Sequence, residues 1–247
     1  ALEALRMETA RVYAKATDVI AKGLSLDKKN IFSDAKLKKV IAQHARAIDY
    51  DIDDVYEHEI KHLCSAILDY TNKLSSADPV IARQISRIRM ANQSILIALK
   101  DVKHLQKNMK RYIASDNPEI SAEYNRLRQR IAKVMRRLEK IRASGETSTT
   151  SILSLDALKL TLEKNMSLLH ERMNELIRDG KVSAEMAISL MNDSNYTYSI
   201  IHNLIQINHN YLKSEEGGET EAEHMIALNR EEIGTVLADD REITEYR

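Results

Sequence analysis

Apolar residues recur three and four positions apart along most of the chain, the period of a helix with one buried face. Tyr124, Leu127, Ile131, Val134, Leu138 and Ile141 step by 3, 4, 3, 4 and 3. Leu155, Leu158, Leu162, Met166, Leu169, Met173 and Leu176 keep the same rhythm. Each set forms one narrow stripe, as in antiparallel helices of a bundle joined by short connections. Only 6 Gly and 2 Pro punctuate 247 residues, so the elements are few and long and the fold class is all-α.

Seven helical stretches follow from this pattern. The first covers about 2–23 and stops at Gly23, before the polar loop SLDKKN. The second runs from a Ser33 N-cap to about Leu74 and ends in SSADP. Pro79 opens the third, which reaches about Ala114. Asp116 or Asn117 caps the fourth, with Pro118 in its first turn, and it extends to about Ala143. SGETSTTS reads as a linker, Ser154 caps a fifth helix to about Arg178, and Asp179-Gly180 ends it. The sixth spans about 183–213, and a short seventh is predicted at about 220–237. The chain thus divides into a first bundle over 1–143, a linker over 144–151 and a hairpin over 152–213 packing on the first. An acidic tail, partly helical or disordered, occupies 214–247. A shift of 102 residues aligns Val80, Ala82 and Asn108 with Val182, Ala184 and Asn210. Two related hairpins, or two ordinary amphipathic ones, both produce such a match.

Net charge is zero but unevenly spread. Residues 100–143 carry thirteen Lys/Arg against five Asp/Glu, and residues 214–247 carry three against eleven. The basic run RLRQRIAKVMRRLEKIR, with Arg136 and Arg137 at its middle, suits an anionic surface such as the inner leaflet of a membrane. A solvated helix face, or one covered by the acidic tail, explains it as well. Aromatics make up 4% of the chain, which argues against base stacking and against nucleic acid as a partner. A single cysteine, Cys64, excludes an internal disulfide and suits a reducing compartment. No signal peptide or membrane span is legible, and a start without Met suits a piece of something longer.

The densest chemistry lies in HARAIDYDIDDVYEHEIKHL, residues 44–63, with three histidines and six carboxylates. On a continuous helix, Ile48, Ile52, Val55, Tyr56 and Leu63 form the buried arc, Asp49 and Asp53 one shoulder, and His44, His58 and His62 the other. Asp49 and Asp53 are candidate ligands for a divalent metal ion shared with another helix. His58 and His62, four apart, match one face of a zinc site but lack a third ligand at useful spacing. Glu59 falls inside the apolar arc, where a carboxylate needs a cation, a metal or a proton. Glu59 and His62 also form the Glu-x-x-His spacing of di-iron bundles, repeated at Glu221 and His224. That spacing suggests a metal-dependent, ferritin-like oxidase. The plainer account pairs Glu59 with a Lys or Arg of a neighbouring helix. No nucleotide loop, nucleophile elbow or catalytic triad is present.

Several stretches, taken in order, resemble one family. ALEALRMETARVYAKATDVI, DDVYEHEIKHLCSAILDYTNKLSSAD, ISRIRMANQSILIALKDVKHLQKNMKRY, EYNRLRQRIAKVMRRLEKIR and ISLMNDSNYTYSIIHNLIQI are similar to the cytoplasmic C-terminal region of bacterial sodium/phosphate cotransporter proteins. That region is PhoU-like. The resemblance covers most of residues 1–213 and implies paired three-helix bundles without catalysis. It also implies a regulatory role at the cytoplasmic face of the inner membrane. The implied partners are the transporter's transmembrane part and a second copy in a homodimer. Family members bind metal through Glu/Asp-x-x-x-Asp pairs, a spacing that Asp49 and Asp53 share. The family's Glu-Arg-Ile-Gly-Asp segment is replaced by LKDVKHLQKN and MNDSNY, which keep only Asp101 and Asp193 as acids. A free-standing helical scaffold is the remaining alternative.

Overall fold

A computed structural model describes residues 1–46, 49–74, 78–143 and 148–215, and these are helical with short connections. Five long helices dominate: α1 (Leu2–Gly23), α6 (Pro79–Tyr112), α7 (Pro118–Ala143), α8 (Ser148–Arg178) and α9 (Ala184–Glu215). Their ends follow local chemistry. Asp78 accepts from the Val80 N–H ahead of Pro79, and Asn117, not Asp116, takes the Glu119 and Ile120 N–H groups at the start of α7. Gly180, at φ 65°, closes α8: its own N–H donates to Ile177 and that of Lys181 to Leu176. Gly23 answers to crowding instead. A Cβ there would stand 2.4 Å from Val102 Cγ1 and 2.7 Å from Ile52 Cδ1. Helix α8 begins six residues before the expected Ser154 cap, inside the expected linker; residues 144–147 and the tail from 216 lie outside the described residues.

The expected helix from Ser33 to Leu74 is a series of short pieces. Asp27 caps α2 (Lys28–Phe32) through the Lys29 N–H, and this helix occupies the predicted polar loop. Ser33 ends α2 rather than starting a helix; its hydroxyl donates to the Asn30 carbonyl. Next comes α3 (Leu37–Gln43), and residues 49–51 precede the following helix as irregular chain. Asp51 caps α4 (Ile52–Val55) through the Asp54 N–H, with Asp53 and Asp54 favourably placed in the first turn. A π-helical turn, Tyr56–Ile60, joins α4 to α5 (Lys61–Lys73). Its extra residue rotates the register. Ile52, Tyr56, Ile60, Cys64 and Ile67 carry the buried line, while Val55, Glu59 and Leu63 are only half-buried. Ile48 lies outside the described residues.

Helices α1, α5 and α6 pack on one another, α7 and α8 each pack on α9, and the two groups meet along α6 and α9. That meeting is antiparallel: Arg111 binds Glu185 at 2.9 Å near one end, and His104 stacks on Tyr196 at 5.1 Å further along. One apolar core runs from Leu5 through Leu99 and Leu127 to Ile207. It includes the predicted stripe of α7, apart from half-buried Val134, and Leu155, Leu158, Leu169, Met173 and Leu176 of α8. The side chains of Leu162 and Met166 lie outside the description.

The short helices α2 and α3 are held on α7 by one buried cation. Arg128 is fully buried; it donates to the carbonyls of Leu24, Ser25 and His44 at 2.8, 2.9 and 2.8 Å, and to Asn125 Oδ1 at 2.7 Å. Burial pulls its guanidinium down to about 10, still charged at neutral pH. Replacing Arg128 with Met leaves three carbonyls without their donor, each costing about 1–3 kcal/mol if it stays dry. Arg128→Met is expected to lower stability by about 3 kcal/mol in urea unfolding. Amide exchange should accelerate over 24–46 before the long helices respond. Uniform loss of protection would show that Arg128 supports the whole core equally.

Candidate functional site

Asp49 and Asp53 lie in an open groove of about 520 Å³ between the start of α4 and the outer side of α6. Lys110 Nζ meets Asp49 Oδ1 at 3.2 Å, and Lys103 Nζ meets Asp53 Oδ1 at 2.5 Å. Gln106 between them donates to the Tyr50 carbonyl at 3.1 Å, which fastens the irregular strip to α6. Asp49 precedes the helix, so the i, i+4 relation expected from the sequence does not arise. The two acids are spread over two turns of α6, about 10 Å. Each faces an ammonium that a metal ion would have to displace. Asp51, the third acid of the groove, is used as a cap. Among the described residues no group of three or more His, Cys, Asp or Glu side chains is arranged to hold a metal ion. These exposed pairs contribute little to stability.

The other sequence candidates are dispersed. Glu59 binds Lys15 of α1, the plain pairing expected of a carboxylate on that face. His62 is exposed, and His58 turns back to Asp54 at 3.0 Å. Glu221 and His224 lie outside the described residues. Cys64 is fully buried, and desolvation pushes its thiol up to about 12, which makes it inert as a nucleophile. Arg136 is turned inward, its Nε donating to the Ile31 carbonyl of α2 at 2.6 Å; Arg137, half-buried, is also engaged. Much of the basic run of α7 therefore works inside the fold. Arg126 pairs with Glu123, and Arg142 lies over the rings of Tyr13 and Tyr211.

Asp101 and Asp193 face each other's helix across the α6–α9 contact. Asp193 is buried; it accepts from the Tyr124 hydroxyl at 2.6 Å and bonds the Asn108 side chain. Tyr124 stacks on Tyr112 at 5.0 Å. Asp101 bonds Ser199 through one oxygen, while the other is buried without a hydrogen-bond partner among the described residues. Desolvation raises both carboxyls above the ordinary aspartate value, against the hydrogen bonds that favour ionisation. Neither acid reaches solvent with a companion ligand, so this is a polar seam within the core. The sequence did carry a signal for it. Asp193 and Thr197 occupy stripe positions between Leu190 and Ile201, where apolar residues are the rule. Tyr124, on the buried stripe of α7, is the matching group of Asp193.

A carboxyl raised in the folded state binds its proton more tightly there. Its contribution is therefore full below the ordinary aspartate range and declines as pH rises from that range through the raised value. Asp193→Asn keeps an acceptor for Tyr124 and removes the buried charge. It is expected to raise the Tm at pH 7 and to reduce the loss of stability between acid and neutral pH. Asp193→Ala leaves the Tyr124 hydroxyl without its acceptor and should cost about 1–3 kcal/mol. Thermal unfolding as a function of pH separates them; equal destabilisation by both variants would mean that Asp193 is ionised and essential as such.

Compared with known protein families, with curated proteins and with solved structures, the chain matches none.

Proposed function

We propose that this chain is a regulatory PhoU-like domain of a sodium-dependent phosphate transporter. In this reading it acts at the cytoplasmic face of the membrane through helix-face contacts with the transporter's membrane part. The observation that carries this reading is the grouping of long helices. α1, α5 and α6 pack on one another, α7 and α8 each pack on α9, and α6 packs on α9. Long antiparallel helices packed in this way support the reading, and its paired bundles come from the resemblance alone. Among the described residues no helix is long and apolar enough to cross a membrane. No catalytic step belongs to this function.

A helix-face contact needs exposed apolar side chains close together. Ile188 and Met191, one turn apart on α9, are 61% and 41% exposed, and Ile177 at the end of α8 is 43% exposed. These residues are the contact expected to meet the membrane part. Changing Ile188 and Met191 to Asp should leave thermal stability intact and weaken co-purification with the membrane part by more than about tenfold. Sodium-driven phosphate uptake should then no longer respond to the domain. Unchanged co-purification and uptake in the double variant would remove this face from the mechanism; uptake indifferent to the whole domain would remove the function itself.

A further inference from the structure

We propose that the basic face built by α2, α3 and α7 is the docking surface of the chain's own acidic segment, residues 216–247. This rests on the fold and on charge, and holds whether or not the transporter reading is correct.

The face is assembled from distant parts of the sequence. Arg136 grips Ile31 and Arg128 grips His44, so α2 and α3 lie along α7. With their backbones held inward, the two short helices turn Lys29, Lys36, Lys38, Lys39 and Arg46 to solvent. The same stretch, 27–46, has only two acids, and one of these, Asp27, is occupied in capping α2. Residues 216–247 carry ten carboxylates against three arginines. The molecule therefore holds a polycation and a polyanion of comparable size.

The exit point of the acidic segment brings them together. Tyr211, in the last turns of α9, lies 5.6 Å beneath the Arg142 guanidinium, at the end of α7. Arg142 also covers Tyr13 of α1 at 4.7 Å, and the next residue of α1, Ala14, takes a hydrogen bond from Lys28 of α2 at 3.2 Å. The last turns of α9 thus lie against the end of α7, and α1, which Arg142 also covers, carries α2 alongside. Thirty-two residues span up to about 100 Å when extended, against about 40 Å for the whole of α7. A segment tethered at this place meets the lysines at an effective concentration in the millimolar range. An external anion, such as a lipid headgroup, has to compete with it.

Buried Cys64 makes the test direct, because a thiol-reactive spin label will attach only to an introduced cysteine. The full chain carrying Ala222→Cys, spin-labelled, is examined by paramagnetic relaxation. Expected is selective broadening of amides in 28–46 at low salt, absent when Lys36, Lys38 and Lys39 are changed to Glu. These exposed changes suit the start of α3, where the helix dipole favours acids. The broadening should also fade at about 1 M salt, where charges are screened within about 3 Å. No broadening at low salt, or broadening indifferent to the lysine changes, overturns the proposal. Vesicles containing phosphatidylserine provide the second measurement. Neutralising Glu219, Glu221, Glu223, Glu231 and Glu232 to Gln should tighten vesicle binding roughly tenfold by uncovering the face. Vesicle binding equally tight with and without those carboxylates would mean that the face is open to lipid, and would also overturn it.

Discussion

The antiparallel contact between α6 and α9 is the interaction on which the rest of the molecule depends. It joins α1 and α5, which pack on α6, to α7 and α8, which pack on α9, and one apolar core runs across it. Apolar residues such as Leu99, Leu105, Ile201 and Leu204 supply most of its driving force. Asp193, Asn108 and Tyr124 contribute a different quality. A buried polar group costs stability unless its partner is in register, so the bond of Asn108 to Asp193 penalises sliding of α6 along α9, and that of Tyr124 to Asp193 sliding of α7 along α9. The raised carboxyl at Asp193 is the cost of that arrangement, and it makes the seam respond to pH.

A second constraint is the accounting of backbone carbonyls where chain is not helical. After α1 the chain turns into two short helices, and the carbonyls of Leu24 and Ser25, with the half-buried one of His44, lack helical partners. Arg128 satisfies all three with one planar group, a geometry that lysine does not offer. Arg136 does the same for Ile31. The basic content of α7 is thus partly a requirement of the fold. What faces outward there is the lysine set of α2 and α3, carried to the surface by elements whose backbones the arginines hold.

These two constraints separate a binding surface from a chemical site. The acids and histidines of 44–63 are divided among a cap, lysine pairs across to α6 and α1, and exposed side chains, so no reactive constellation assembles from them. The remaining features are surfaces: an apolar patch where α8 turns into α9, and a cationic face on α2 and α3. Both are surfaces suited to contact, and the charged one is complementary in sign to the acidic segment.

The sequence by itself determined the all-α class, most ends of the long helices (not the start of α8) and most of their buried stripes. Those properties depend on neighbours within a turn or two: Asp78 before Pro79, Asn117 before Pro118, Gly180 after α8, and apolar residues spaced by three and four. The start of α4 also carries a local signal, Asp51 followed by Asp53 and Asp54, within the stretch from Ser33 to Leu74 read as one helix. The break before it, the register shift through Tyr56–Ile60, the fate of Glu59 and the inward turn of Arg136 were decided by tertiary structure. Each depends on a partner far along the chain, as Arg128 does on carbonyls 84 to 104 residues away. Local periodicity carries no information about such a partner, because the energy of a buried charge or an irregular carbonyl is set by whatever the fold places against it.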